Sequence, residues 1–356
     1  MNARQKQLLL KMAENGLDAA LLTSGVSIRY YTGFTSDECA VLLTQGGCWL
    51  ITDFRYTIQA NAQAAGNATV IEANQAANQK QALLDCLKRE RVETCGYEQE
   101  ALSVARYEEY ADFPVRWKAF GNEIALPRLI KSAEEVASLQ KAQAIADEAF
   151  TRLLPKLHIG MTELEAKAEL NYICDRLGSE GPSFDPIVGS GENGAMCHAI
   201  PGGRRIADGD FVVFDFGCVF EGYHSDMTRT VGFGNVSDEL RRIYDVTLEA
   251  QLKALSAVRA GVSGKAVDAV ARDYIASKGY GECFGHGLGH GFGLEIHEPP
   301  RAAVTSESVL APGMTLTIEP GIYLPGKGGV RIEDCVVVTE DGCLNLVSTA
   351  KDLLIL

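Results

Sequence analysis

The sequence predicts two domains: an α/β unit, followed by an α+β unit in which helices cover one curved sheet. The chain has 356 residues, which is enough for two domains of ordinary size. Strand-like and helical segments alternate in the first third, as they do in α/β sheets. Long helical segments come in pairs in the rest, with apolar strand-like segments between and after the pairs. The stretch 121–127 separates the two patterns, so we expect domains at 1–125 and 126–356.

The first domain is predicted from short segments bounded by glycine and polar residues. We expect helices at 4–16, 54–66, 80–90 and 101–112, and strands at 18–24, 27–34, 39–44, 48–52, 69–73 and 94–98. Residues 45–47 read Gln-Gly-Gly, which predicts a hairpin turn between two of these strands.

Four helices are predicted in the second domain, at 130–157, 161–178, 237–258 and 263–280. Ser132 is followed three residues later by Glu135, the pattern of a capping box at the start of a helix. Thr162 supplies the N-cap of the second helix, and Gly178 ends it.

Charge and composition exclude several classes of function. The formal net charge of −14 argues against nucleic acid or an anionic membrane as the main partner. The first residues do not have the pattern of a signal peptide, and no run approaches the roughly 20 apolar residues of a membrane span. The ten cysteines include no CxxC pair, so we expect reduced thiols in a cytoplasmic protein.

Five ionisable residues lie in apolar, glycine-rich, strand-like stretches where none is expected: Asp215, Asp226, His290, Glu319 and Glu333. Four carboxylates that converged in a core would raise one another's pKa, and burying them unpaired would cost several kcal/mol or more. Two divalent cations would cancel four negative charges. The sequence therefore predicts a hydrolytic site with two metal ions. Carboxylates with one imidazole suit Mn²⁺, Fe²⁺ or Co²⁺, and Zn²⁺ less clearly.

Structural alternatives exist for single members of this set. Asp226 could cap a turn while Asp215 pairs with Arg229, and Arg331 could balance Glu333 in a salt bridge. The segment 285–298 is more specific, because it holds three of the six histidines among glycines that allow close approach of the backbone. Three histidines in such a run favour a site over three isolated structural roles.

These motifs resemble the pita-bread metallopeptidases, the family of aminopeptidase P, prolidase, methionine aminopeptidase and creatinase. The resemblance spans nearly the whole chain: residues 1–125 are similar to the creatinase-type N-terminal domain, and residues 126–356 to the catalytic domain. It implies that the five residues above are the metal ligands. It further implies catalytic roles for Glu319, His198 and His297, and substrate contacts for His286, Arg301, Tyr323 and Arg331.

The same resemblance implies hydrolysis of the Xaa-Pro bond at the N-terminus of peptides or in dipeptides. A hydroxide bridging two ions, expected to be Mn²⁺ with Co²⁺, Fe²⁺ or Zn²⁺ as alternatives, would attack the carbonyl while Glu319 carries the proton. Small peptides are the expected partners and a homodimer the expected assembly. A methionine-type or broader aminopeptidase stays open as an alternative, and so does an inactive peptide-binding module on the same fold.

Overall fold

The computed structural model describes residues 1–356 and divides them into two compact units, Met1–Arg128 and Leu129–Leu356. The sequence pattern placed the boundary after residue 125. A 3₁₀ turn, Leu126–Leu129, spans the division. None of the helices combines the length and apolar character that a membrane crossing requires.

The first unit is built on one mixed sheet of six strands. The strands are β1 (Ala19–Leu22), β2 (Cys39–Thr44), β3 (Gly47–Asp53), β4 (Thr69–Ala73), β5 (Thr94–Tyr97) and β6 (Arg116–Ala119). Their order is β4-β3-β2-β1-β5-β6, with antiparallel pairing inside β1-β2-β3 and parallel pairing elsewhere. The helices are α1 (Ala3–Glu14), α2 (Gly25–Thr32), α3 (Thr57–Gln63), α4 (Gln79–Arg89), α5 (Val104–Tyr110) and α6 (Gly121–Ala125).

The predicted strand at 27–34 is wrong, because these residues form α2 and its end. Their β-branched and aromatic side chains favoured a strand. Five of the eight residues of α2 are buried, however, and among them Ile28, Tyr31 and Thr32 lie at helical spacing. The Glu98 carboxylate accepts hydrogen bonds from the backbone N–H groups of residues 23 and 24 and from the Ser27 hydroxyl, which stabilises the start of the helix. Gly33 ends it with a left-handed φ of 84°.

The second unit contains four long helices and thirteen short strands. The helices are α7 (Ala133–Leu153), α8 (Glu163–Arg176), α9 (Asp238–Ala257) and α10 (Gly264–Ser277). The strands are β7 (Ile187–Ser190), β8 (Phe211–Phe216), β9 (Val219–Phe220), β10 (Tyr223–His224), β11 (Met227–Gly232), β12 (Gly289–Gly291), β13 (Glu298–Ala302), β14 (Thr315–Ile318), β15 (Gly321–Leu324), β16 (Gly328–Arg331), β17 (Asp334–Val338), β18 (Cys343–Asn345) and β19 (Leu354–Ile355). Short 3₁₀ helices lie at Leu154–Lys156, Gly191–Ala195 and Gly281–Cys283.

The predicted helix starts at Ser132 and Thr162 are confirmed. Each of these side chains accepts a hydrogen bond from the backbone N–H of the glutamate three residues on. The side chain of that glutamate accepts one from the backbone N–H of the Ser or Thr, so both helices begin with a capping box. The four helices cover two apolar cores. One core lies between α7–α8 and the β7–β8–β11 strands, and the other between α9–α10 and the β14–β17 strands.

The two groups of strands meet where β11 passes β17. A single antiparallel bridge joins Thr228 of β11 to Glu333, the residue before β17. The strand ends at this junction carry the acidic residues that the sequence singled out. We call this junction between the two groups of strands of the second unit the seam. The strand ends that carry the acidic residues lie at it.

A buried ionic network on β11 and β17 supports the seam. The Asp334 carboxylate has no exposed surface and accepts hydrogen bonds from Arg229, Gln251, Asn345 and Lys351 at 2.6–3.0 Å. Burial alone would raise its pKa, but Arg229 and Lys351 hold the pKa of this carboxyl below its ordinary value. Arg229 also donates to the backbone carbonyl of Glu333 at 2.6 Å. The network thus ties α9, β11, β17 and the C-terminal segment together.

We expect Asp334→Ala to lower the free energy of unfolding by about 3–5 kcal/mol, because it leaves the buried Arg229 without its carboxylate. Urea denaturation followed by circular dichroism measures the change. The matched control is Glu239→Ala, which removes the exposed ion pair with Lys327 and should cost less than about 1 kcal/mol. Equal effects of the two substitutions would contradict this account of the seam.

Candidate metal centre

Two aspartates reach the site from the antiparallel pair β8–β11. Asp215 lies in β8 opposite Thr228, and Asp226 immediately precedes β11. The small hairpin β9–β10 fills the chain between them. Both aspartates are buried, with 8% and 4% of their surface exposed. The predicted closeness of these two residues therefore comes from strand pairing, with a longer connection than a simple turn.

Glycines on either side of His290 allow three segments of backbone to pack closely. A Cβ atom at Gly289 would lie 1.8 Å from the carbonyl oxygen of Thr317, and one at Gly291 would lie 2.3 Å from that of Pro299. Neither approach is possible with a side chain present. His290 is thereby held in β12 between β13 and β14, with 7% of its surface exposed.

Three of the five predicted ligands form a tight cluster. Ligand atoms of Asp226, His290 and Glu333 all lie within 4.8 Å of one another. The His290 Nε2 atom is 3.6 Å from an Asp226 oxygen and 3.5 Å from Oε1 of Glu319. Asp215 lines the same cavity, and its charge acts on both Asp226 and Glu333. All five side chains therefore converge.

The donor atoms at this cluster fit divalent metal ions. Oδ1 of Asp215 and Oδ1 of Asp226 are buried and have no hydrogen-bond partner, which is costly for a carboxylate unless a cation is present. His290 donates from Nδ1 to the carbonyl of Gly291 at 3.0 Å, so its Nε2 lone pair faces the acids. A backbone carbonyl commonly orients metal-binding imidazoles in this way.

Burial and mutual repulsion disfavour charge on these acids in the metal-free protein. Burial, together with the neighbouring carboxylates, raises the pKa of Asp226 and of Glu333 well above ordinary values. Burial also raises the pKa of Glu319 to about 8. It lowers the pKa of His290 to about 4, which keeps the imidazole neutral and able to bind a metal. Arg331 is the one cation bound directly to these acids, through Asp215, so the four carboxylates exceed the positive charge beside them, and divalent cations would supply the difference.

Both structural alternatives for the arginines are wrong. Arg229 pairs with Asp334 instead of Asp215, and the guanidinium bound to Asp215 is that of Arg331, at 2.5 Å. Glu333 is not balanced by an arginine. Its Oε2 accepts a hydrogen bond of 2.6 Å from the hydroxyl of Thr228, which in turn accepts from Nε of Arg331.

Three predicted substrate-contact residues form a hydrogen-bonded chain. His286 donates from Nδ1 to the carbonyl of Gly287, so its Nε2 accepts from the Tyr323 hydroxyl at 2.9 Å. Arg331 donates to the same hydroxyl at 3.0 Å and continues the chain to Asp215. Burial lowers the pKa of His286 to about 4, so this imidazole is neutral near pH 7. The proposed substrate wall and the ligand cluster are therefore one connected system.

All eleven predicted site residues line one cavity of about 620 Å³. His198, His297 and Arg301 are exposed to it, and the rings of His290 and His297 are 4.4 Å apart. Apolar residues that the sequence did not single out complete the lining: Phe184, Pro186, Ile187, Ile200 and Pro201. Thr228 was also missed, although alternation along β11 places it on the same strand face as Asp226.

Known proteins share this architecture. The profile of metallopeptidase family M24 matches residues 137–340, and that of the creatinase/prolidase N-terminal domain matches residues 4–130. The chain belongs to metallopeptidase family M24. It therefore has the pita-bread catalytic fold that its motifs resembled, preceded by a creatinase-type domain, and the family implies divalent metal ions at the carboxylate cluster.

Individual relatives match over almost the full length. A Xaa-Pro dipeptidase of Pyrococcus horikoshii is 34% identical over 99% of both chains. The solved structure of a Xaa-Pro dipeptidase from Bacillus anthracis is 40% identical and superposes with a TM-score of 0.96 over 99% of both chains. That of an X-Pro aminopeptidase from Thermotoga maritima is 35% identical with a TM-score of 0.91, also over 99% of both chains.

Metal binding should depend strongly on pH. Folding raises the pKa of Glu319 from 4.5 to about 8. Between these two pH values the folded metal-free protein therefore keeps a proton that the unfolded chain has lost. The metal-free protein should therefore lose stability as the pH rises through this range, and Mn²⁺ should bind more tightly. Calorimetric titration with Mn²⁺ in buffers of different ionisation enthalpy at pH 7 should detect proton release. Binding without proton release would contradict the raised pKa.

Asp226→Asn should abolish metal binding yet stabilise the metal-free protein, since it removes one of the repelling charges. We expect the free energy of unfolding of the metal-free protein to be higher in the variant at pH 8. Metal analysis and urea denaturation measure the two effects. Asp185→Asn is the control, because this exposed acid on the rim of the cavity pairs with Lys167 outside the cluster. Retention of metal by the Asp226 variant would overturn the ligand assignment.

Proposed function

We propose that this chain hydrolyses the Xaa-Pro bond of dipeptides, and that two divalent ions at the carboxylate cluster support the reaction. The observation that carries the proposal is that one cavity is lined by the acidic cluster, by the hydrogen-bonded chain His286–Tyr323–Arg331 and by the exposed Arg301. Full-length likeness to Xaa-Pro dipeptidases supports it. We propose Mn²⁺ as the ion.

The residues that would hold the ions are Asp215, Asp226, His290, Glu319 and Glu333. When bound, the ions would polarise the scissile carbonyl and lower the pKa of a water molecule. Asp215 and Asp226 each offer a buried oxygen with no other partner, and His290 offers Nε2. Thr228 fixes the direction of the Glu333 carboxylate through its hydroxyl.

Glu319 is placed to move the proton. Its carboxylate lies in the cavity wall with 17% of the side chain exposed, and its Oε1 accepts a hydrogen bond from the Thr317 hydroxyl at 3.2 Å. From this position it would take the proton of the attacking water and deliver it to the leaving nitrogen. His297, beside His290, would donate to the carbonyl oxygen as negative charge develops there. His198 would contact the leaving group.

Proline removes one means of substrate recognition, because its imide nitrogen has no N–H and its ring fixes φ. Recognition must then use the ring and the groups on either side of it. We propose that the His286–Tyr323 side of the cavity accepts the ring. The exposed guanidinium of Arg301 would bind the free carboxylate that follows proline in a dipeptide.

The Thermotoga X-Pro aminopeptidase makes longer peptides the second candidate substrate class. The two classes differ only at the carboxyl end of proline. A homodimer, a domain boundary after residue 125 and a cytoplasmic location stay predictions of the sequence.

The test compares Ala-Pro with Ala-Pro-Ala as substrates of the Mn²⁺-loaded protein. We expect faster cleavage of Ala-Pro. Arg301→Ala should lower kcat/KM for Ala-Pro about 10- to 100-fold, since a charged hydrogen bond contributes roughly 1.5–3 kcal/mol, and should change cleavage of Ala-Pro-Ala much less.

The control variant is Arg301→Lys, which keeps the charge without the bidentate geometry and should lose only part of the activity. Faster cleavage of Ala-Pro-Ala, with no effect of the Arg301 substitutions, would identify an aminopeptidase. Absence of cleavage of both peptides with Mn²⁺ or Co²⁺ would reject a Xaa-Pro peptidase.

A further inference from the structure

The loop that carries His198 is fastened at both ends to one buried carboxylate. Residues 191–203 leave β7 and return toward β8, and the exposed His198 side chain faces the cavity from the middle of this loop. The position of His198 therefore depends on the backbone that carries it. Glu163, the first residue of α8, has no exposed surface and contacts the loop at both ends.

Hydrogen bonds to Glu163 come from both sides of His198. On the N-terminal side, Oε1 accepts from the backbone N–H of Ser190 at 2.8 Å, from its hydroxyl at 2.7 Å and from the side-chain amide of Asn193 at 3.0 Å. On the C-terminal side, Oε2 accepts from the backbone N–H of Gly202 at 3.2 Å. The backbone N–H of Leu164 donates to the carbonyl of Gly202 at 3.1 Å. One carboxylate thus closes the loop.

The surroundings of Glu163 supply hydrogen-bond donors and a helix start. Glu163 lies in the first turn of α8, where the helix dipole stabilises negative charge. Arg204 donates to the Ser190 hydroxyl at 2.7 Å, so the hydroxyl proton points to Glu163. Arg204 is itself fixed by Asp210. The loop ends are therefore held by charge-assisted hydrogen bonds, which are stronger than neutral ones.

The body of the loop also packs against the strand that leads to Arg331. A Cβ atom at Gly329 of β16 would lie 2.1 Å from the carbonyl oxygen of Gly194. This close contact sets the distance between the loop and β16. Together with Glu163 it restrains the loop at three places, and His198 lies between two of them.

We propose that Glu163 is the positioning residue of His198. It holds the imidazole beside the place where the leaving group of a Xaa-Pro substrate would lie. This inference rests on the proposed function for the role of His198, while the fastening of the loop rests on the contacts above. Glu163 itself does not line the cavity, so it acts on the reaction only through the loop.

The test is Glu163→Gln, which keeps one acceptor oxygen and turns the other acceptor into a donor facing the Gly202 N–H. We expect kcat for Ala-Pro to fall about 10- to 100-fold, the size of effect that a displacement of about 1 Å produces. KM and metal content should change little. In a His198→Ala background the same substitution should change kcat less than about twofold, because the two residues act on one step.

The matched control is Glu165→Gln. This acid lies in the same turn of α8 and accepts hydrogen bonds from Thr162, so its substitution weakens the helix cap without touching the loop. It should lower stability and leave kcat unchanged. A fall in kcat that is equally large with and without His198 would overturn the proposal, and so would a loss of stability in Glu163→Gln with normal kcat.

Hydrogen exchange separates this inference from the proposed function. Amides of residues 191–203 should exchange faster in Glu163→Gln than in Glu165→Gln, whatever the substrate is. Equal exchange in the two variants would overturn the fastening of the loop. Failure of the wild-type protein to cleave Ala-Pro, with faster exchange in the Glu163 variant, would reject the proposed function and keep the role of Glu163 in placing His198.

Discussion

Repulsion between buried carboxylates is the constraint on which the rest of this structure depends. Asp226, Glu333 and Glu319 lie together below the surface, and burial combined with their neighbours' charges makes their ionised forms unfavourable. A protein core excludes such a cluster unless something else holds it in place. Here strand pairing, together with the close backbone contacts beside His290, holds the segments that carry these side chains near one another. The same arrangement suits divalent cations, which would offset the repulsion.

Behind the site lies a second buried ionic network, in which the acid is paired with cations instead of repelled by other acids. Asp334 and Arg229 satisfy each other with no exposed charge, and Arg229 also holds the backbone carbonyl of Glu333. On the cavity side, Thr228 and Arg331 orient the acids without neutralising all of them. Two neighbouring residues of one chain segment, Glu333 and Asp334, therefore have pKa values shifted in opposite directions. The paired network around Asp334 thus supports the backbone that carries the unpaired carboxylates.

Much of this could be read from the sequence, for identifiable reasons. An acid in an apolar strand needs a partner wherever the strand lies, so the five candidate ligands could be recognised without coordinates. Helix starts at Ser132 and Thr162 could be recognised because capping is local. The helix at residues 25–32 could not, since its start depends on Glu98, which is 71 residues beyond Ser27. The partner of each arginine also depends on side-chain direction across strands, which is why Asp334 and Thr228 were not foreseen.

The alternation of Glu333 and Asp334 also bears on how the chain finds its fold. Adjacent residues of an extended segment face opposite sides, so a slip of β17 by one residue would turn each of the two acids to the other face of the strand. A slip in one direction would place Glu333 beside Arg229 and Lys351, and a slip in the other would place Asp334, with a side chain one methylene shorter, in the carboxylate cluster. Such a pairing would keep the five candidate ligands from converging. The two acids need opposite surroundings, so together they favour one alignment of β17 at the seam. The same alignment brings the candidate metal ligands together.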